Sequence, residues 1–320
     1  MRFLPDHALY SSVDGCLGFL RTLPEETPSS VGTTAPVPVH FFWQGRFSAK
    51  QALCLKSFFA TQDLSRFSCW LWLGNSDSVT GAAANPHLAP LLPFLKLRLF
   101  DPAETFDGTP FANQAWLGKT HRAIPLSDFA RLAILHHHGG IYSDLDVIFL
   151  RDLGPLLRLV GDAELCFQWS YLARGANGFL RLHRGGQIVR DLMESAYRNR
   201  SGHSSGMLDY GRDTVGLLIL PSAFFSPLWL HADGKNRSTH APFHRFADFF
   251  RPFRWWFRPV TRVSSHRELF PGAFTYHWHG CWQAPETRTS CAGLVAASLE
   301  AELHLRLPAL DRLPPYGATH

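Results

Sequence analysis

Apolar residues in the first third of the chain fall in short runs separated by segments of helical period. Residues 39–43 (VHFFW) are β-branched and aromatic, suited to a buried strand, and Ser48 offers an N-cap for a helix from Ala49 to about Ala60. Residues 67–73 (FSCWLWL) read as the next strand, closed by Gly74, and residues 97–100 as a third after a proline-bounded helical stretch. This β-α-β order predicts an α/β fold with a mostly parallel sheet flanked by helices. No GxGxxG follows the first strand and no GxxxxGK[ST] occurs anywhere, so dinucleotide and P-loop readings lose their usual support.

The most informative pattern is residues 125–150, PLSDFARLAILHHHGGIYSDLDVIFL. Ser127 is suited to cap a helix with Asp128 in its first turn, and Gly139-Gly140 ends that helix. A strand follows directly. If it is continuous, Tyr142, Asp144 and Asp146 project from one side of it, beside a run at 147–150 that reads as fully buried. Two carboxylates so placed repel unless a positive group lies between them, and oxygen ligands suit hard ions such as Mg²⁺ or Mn²⁺. Asp128 and Arg131, one turn apart, could belong to the same site or be only a helical i,i+3 ion pair. His136, His137 and His138 are consecutive on a helix, point in different directions, and read as a solvated helix end.

Composition sharpens this picture. The chain has 320 residues, 46% of them hydrophobic, which excludes a disordered or collagen-like polymer. Six cysteines lack CxxC spacing and read as mostly buried thiols of a reducing compartment. The N-terminus has neither a signal-peptide pattern nor a long apolar run, so the expectation is a cytoplasmic or membrane-peripheral protein. A net charge of +5 is mild for a nucleic-acid binder, and no nucleic-acid partner is expected. Residues 245–267 hold six Arg and one Asp, which accounts for the whole excess. Within residues 244–267 arginines alternate with aromatics. That suits an interfacial surface for anionic lipid or a lipid-linked glycan, or a loop pair whose aromatics enter the core while the arginines stay wet.

The block around Ser127, Asp128, Arg131, Gly139, Gly140, Ile141, Tyr142, Asp144 and Asp146 resembles the sugar-nucleotide site of DXD-motif glycosyltransferases. That group includes the alpha-1,4-galactosyltransferases and alpha-1,4-N-acetylglucosaminyltransferases, the yeast outer-chain mannosyltransferases and the glucosyltransferase domains of clostridial toxins. HFFWQG at residues 40–45, Phe106, Thr109-Pro110, Trp116, Asn177-Gly178, Phe225-Ser226-Pro227 and TYHWHGCW at residues 275–282 extend the likeness. Thr214-Val215 depart from it, since the family usually has Gly-Pro in that segment.

The resemblance implies a GT-A fold with a Rossmann-like, mostly parallel central sheet in a single domain at residues 37–290. Residues 1–36 are expected to be a flexible lead-in and residues 291–320 a C-terminal helix and tail. It further implies a UDP-sugar donor, Mn²⁺ or Mg²⁺, and transfer with retention to a glycan, glycolipid or protein acceptor. By the resemblance Asp146 is the direct metal ligand and Asp144 contacts ribose and ion, so both also serve the nucleotide; His277 is a candidate third ligand, with His279 competing for that role. Trp43, Gln44, Tyr142 and Trp282 fall on the nucleotide side, and Asp128, Arg131 and Asn177 around the reacting sugar. Trp43 could equally be core. Two other classes compete: a metal-dependent hydrolase using the same Asp pair, which should carry further clustered acidic or His ligands, and a non-catalytic nucleotide-sugar or glycan-binding protein.

Overall fold

A computed structural model describes residues 2–3, 8–25, 35–74, 76–112, 123–172, 174–201, 216–234, 241–252, 263–285 and 287–310. Trp116, Thr214, Val215 and the centre of the basic-aromatic segment, 253–262, lie outside them.

Strand β2 (Val37–Trp43) is followed by α3 (Ala49–Thr61), β3 (Phe67–Leu73), α4 (Ser76–Ala83) and β4 (Leu95–Leu99), after β1 (Arg2–Phe3), α1 (Ala8–Ser11) and α2 (Val13–Thr22). Ser48 caps α3 as its sequence predicts: its hydroxyl accepts from Lys50 N, and the Gln51 side chain closes the capping box. After α5 (Pro102–Thr105) come α6 (Ala123–His138), β5 (Gly140–Ser143), β6 (Val147–Phe149), α7 (Gly154–Val160), β7 (Leu165–Gln168), β8 (Gly175–Leu182) and α8 (Gln187–Asn199). The chain closes with β9 (Leu218–Leu220), α9 (Pro227–Ala232), β10 (Thr275–His277) and α10 (Cys291–Leu310).

Eight strands form one sheet in the order β1-β9-β7-β8-β5-β2-β3-β4, parallel except for β8, which runs against both β5 and β7. Buried apolar side chains cover both faces of this sheet, as a sheet with helices on each side requires. From β2 the chain moves outward to β3 and β4, then returns to lay β5 on the other side of β2. That reversal opens a crevice at the carboxyl ends of β2 and β5, the place where open α/β sheets bind ligands.

Three expectations change. The first concerns α6, which starts at Ala123, so Ser127 and Asp128 lie inside it instead of at its cap and first turn. The helix gains a turn upstream of the position that single-residue cap preference selects. The second is the continuous D-x-D strand: β5 stops at Ser143, and β6 leaves the main sheet to pair antiparallel with β10. Asp144 and Asp146 therefore occupy the break between two strands. The third is the flexible lead-in. Arg2–Phe3 pair with β9, and α2 buries Val13, Cys16, Leu17 and Leu20, so these residues are part of the folded unit.

All six cysteines are free thiols, five of them buried. In the described flanks of the basic-aromatic segment Phe249 and Phe250 are core, whereas Arg251 and Arg267 face outward and pair with Asp248 and Glu302, each at 3.2 Å. Among the described residues no helix is long and apolar enough to cross a membrane.

Candidate active site

The turn from α6 into β5 sets the site. Gly139 and Gly140 both have positive φ, 64° and 93°, which favours glycine, and a Cβ on Gly140 would run into the Pro38 carbonyl of β2. Buried His40 ties this turn to the sheet. Its Nε2–H donates to Gly139 O at 3.0 Å while its Nδ1 accepts from Trp72 Nε1 at 3.1 Å. Both ring nitrogens are thereby committed as in the neutral form, and burial pushes the His40 pKa down to about 3.

Behind the strand break lies a buried ion cluster. Arg131 on α6 meets Asp128 at 2.8 Å and Asp144 at 3.2 Å, and donates to Asn177 O at 2.6 Å. Asn177 Nδ2 in turn donates to Asp128 Oδ1 at 3.1 Å. Burial opposes the charge on Arg131, but Asp144, Asp128 and Asp146 outweigh it and its pKa is raised. Tyr142, expected on the nucleotide side, is only 1% exposed, and its ring lies 4.7 Å beneath the guanidinium. It supports Arg131 from below.

Asp146 faces a different set. His277 Nε2 lies 2.9 Å from its Oδ1, and the Gly280 N–H donates to its Oδ2 at 2.6 Å. β10 delivers His277 here because His277 pairs with Val147, directly after Asp146. Burial raises both carboxyl pKa values, but the balance differs. Asp144 stands at about 6, burial and the neighbouring Asp146 outweighing Arg131. Asp146 is drawn down to about 2 by His277 and the Gly280 N–H.

Ligand atoms of Asp144, Asp146 and His277 lie within 4.8 Å of one another. Gly178 leaves room for them: a Cβ there would be 2.9 Å from Asp144 Oδ2 and 3.2 Å from His277 Cε1. A pair of carboxylates and an imidazole form a donor set suited to Mn²⁺ or Mg²⁺. His279, the competing histidine, instead stacks on His277 with ring centroids 3.9 Å apart, and its Nε2 bonds Ser226 Oγ at 2.9 Å.

On the β2 side Trp43 and Trp282 are half-buried, with ring centroids 4.9 Å apart. Gln44 Oε1 is buried with no hydrogen-bond partner among the described residues. Lys50, which pattern reading passes over, fixes the Trp282 loop by donating to the carbonyls of Cys281, Trp282 and Ala284 at 2.7, 2.8 and 2.6 Å. Gly178 acts through an absent side chain, Gly280 through its backbone N–H and Lys50 through its ammonium on backbone carbonyls. Gly178 has a sequence signal in the Asn-Gly pair and Gly280 in the segment 275–282, whereas Lys50 has none.

Residues 51–163 match the family described as glycosyltransferase sugar-binding region containing DXD motif. Over those residues the chain is similar to that family. The resemblance read from its residues is thus borne out. Lactosylceramide 4-alpha-galactosyltransferase of Rattus norvegicus is 27% identical over 230 residues, 68% of this chain and 58% of that protein. Its Mus musculus counterpart is 33% identical over 121 residues, 36% of this chain and 31% of that protein. The chain therefore spans less than two thirds of either relative. In fold it is similar to the apo-form glycosyltransferase GlyE of Streptococcus pneumoniae TIGR4, with a TM-score of 0.50 at 11% identity over 88% of this chain and 66% of that one. The GT-A expectation of a mostly parallel sheet between helices is met.

Proposed function

We propose that this chain is a metal-dependent, retaining glycosyltransferase that moves a hexose (galactose, N-acetylglucosamine or glucose) from a UDP-sugar to a glycan, glycolipid or protein acceptor. The observation that carries this reading is the convergence of Asp144, Asp146 and His277 within 4.8 Å at the switch point of the sheet. The matched DXD region and the galactosyltransferase relatives support the donor class.

Asp144, Asp146 and His277 would hold Mn²⁺ or Mg²⁺. Bound there, the ion supplies Lewis-acid stabilisation of the departing diphosphate. As a ligand His277 would present a neutral nitrogen, giving up the proton it shares with Asp146. Trp43 and Trp282 offer faces for the uracil, and the unpartnered Gln44 Oε1 an acceptor for its N–H. Asp128, fixed by Arg131 and Asn177, is preset to accept hydrogen bonds from sugar hydroxyls without reorganising. Arg131 stays charged and keeps both carboxylates in place.

Asp128 and Asp144 are both committed to Arg131, which argues against either being a free nucleophile. Transfer on one face follows: the acceptor oxygen bonds to the anomeric carbon as the bond to the diphosphate breaks, and the acceptor proton passes to the diphosphate. Release of UDP from a panel of UDP-sugars with and without Mn²⁺ tests the reading, with the product anomer assigned by NMR. Metal-dependent release and a retained anomer are expected. An inverted product, or a glycosyl group trapped on an Asp or Glu, would overturn the one-face step.

A further inference from the structure

A second group of aromatic side chains lines the same edge of the sheet, on the far side of the carboxylates from Trp43. Trp169 follows the last residue of β7, and β5 and β8 lie between β2 and β7. Three strand spacings put about 14 Å between the two positions. Trp169 and Trp229 have ring centroids 5.4 Å apart, and Trp229 and His279 4.5 Å. Phe246 lies 4.4 Å from His279 on its own contact, and His279 stacks on the candidate ligand His277 at 3.9 Å and 15°. A continuous row thus leads from the metal ligands outward through His279 and Trp229 to Trp169.

These rings are not core. Trp169, Trp229, Phe246 and His279 are all partly exposed, while Phe167 and Phe225 just beneath are at most 1% exposed. Tyr171, at the tip of the turn after β7, is 45% exposed. Several contacts hold the row rigid: Ser226 bonds His279, Ser170 bonds Asp233 one residue past α9, and Trp169 N donates to Arg174 O at 2.7 Å. Ser170 and His279 both take positive φ, 48° each, although neither is glycine. Strained backbone that the surroundings over-determine gathers at ligand sites. A rigid, half-wet aromatic row beside a reactive centre is what a ligand with one apolar face and a polar rim requires.

We infer that the Trp169–Trp229–His279 row is the acceptor platform, taking the pyranose ring of a glycan with its C–H face on Trp229 and its hydroxyls toward the row's Ser and His groups. The inference rests on the glycosyltransferase reading of Asp144, Asp146 and His277. Donor base, reacting carbon and acceptor then lie in that order along the sheet edge. The nucleobase is the other planar candidate for these rings, but it would have to reach past the Asp144–Asp146–His277 cluster, whose ion would meet its own diphosphate.

The full chain with the substitutions Trp229→Ala, Trp169→Ala and Trp229→Phe tests this. Acceptor KM is measured beside the acceptor-independent hydrolysis of the UDP-sugar and the affinity for UDP. Saturation-transfer NMR with methyl β-galactoside, methyl β-glucoside and lactose reads sugar contact directly. Expected is a rise of about tenfold or more in acceptor KM for each Ala variant, partial recovery in Trp229→Phe, and hydrolysis and UDP affinity within about twofold of the parent. Unchanged acceptor KM in both Ala variants, or loss of UDP affinity with acceptor KM unmoved, would overturn the platform. If the parent releases no UDP from any donor yet transfers saturation to a sugar, and Trp229→Ala does not, the enzyme reading falls and the platform stands. Should an Ala variant fail to fold, Trp229→Phe and Tyr171→Ala carry the same comparison.

Discussion

Asp144 and Asp146 are two residues apart and are held by opposite kinds of partner. Asp144 leans on Arg131, a permanent cation shared with Asp128 and buried against Tyr142. Asp146 leans on His277, whose Nε2 proton can be given up, and on a backbone N–H from Gly280. The first arrangement is built to stay and fixes geometry whatever is bound. The second offers a position that a cation can take over, because imidazole is a ligand once its proton leaves. One side of the site is scaffold and the other is the exchangeable end.

The sharpest way to break this contrast is Asp146→Asn. Turnover should fall by about a thousandfold or more, since the charge that would anchor the ion is gone, while the thermal midpoint moves little. UDP release and a thermal scan on the same sample check both halves. Retained activity would sink the metal assignment. Arg131→Ala should behave in the opposite way, losing stability first. It strands Asp128 and Asp144 in a buried place, at a cost of about 3–5 kcal/mol by denaturant titration. A loss under about 1 kcal/mol would mean the cluster is no scaffold.

Gly178→Ala presses on both sides together. Its Cβ would sit 2.9 Å from Asp144 Oδ2 and 3.2 Å from His277 Cε1, so the donors must move apart. Mn²⁺ affinity should weaken about tenfold, with a stability loss of ~1–3 kcal/mol. Equal affinity in the variant would show that the cradle is looser than its geometry implies. The mildest test contrasts the two buried histidines. His277, beside two carboxylates, has its pKa raised, whereas burial lowers that of His40 from 6.5 to about 3. The unfolded chain therefore binds a proton at His40 below pH 6.5 that the folded chain refuses until about pH 3. Stability is full above that window and falls as pH drops through it, by up to ~1.4 kcal/mol per pH unit. His40→Asn should flatten that slope in denaturant titrations from pH 7 to 4.5, and an unaltered slope would contradict the neutral assignment.

The two sides also differ in how far the sequence discloses them. Ser48, the run at 67–73 and Gly139-Gly140 carry local signals for a cap, a strand and a helix stop, and each element forms where those signals put it. Asp128, Arg131, Asp144 and Asp146 lie within 19 residues, close enough for one pattern to group them. Pattern reading fails where tertiary pairing overrides local preference. The D-x-D break exists because β6 leaves the sheet for β10, a partner more than 120 residues downstream, and no residue near Asp146 announces it. The start of α6 moves for a related reason: a capping preference worth about 1 kcal/mol is a weak prior against the rest of the fold. His277 was reachable only through resemblance, and the Trp169–Trp229–His279 row joins three segments that nothing in the sequence links.

The central claim is that Asp146 and His277 form the exchangeable end of a metal site. Titrating Mn²⁺ into the full chain, followed by the loss of the free-ion electron paramagnetic resonance signal with and without UDP, tests it most directly. The parent should bind Mn²⁺ more tightly when UDP is present. Asp146→Asn and His277→Ala should each weaken binding by about tenfold to a hundredfold, while Trp229→Ala leaves it unchanged. Mn²⁺ affinity indifferent to both Asp146→Asn and His277→Ala would contradict the account.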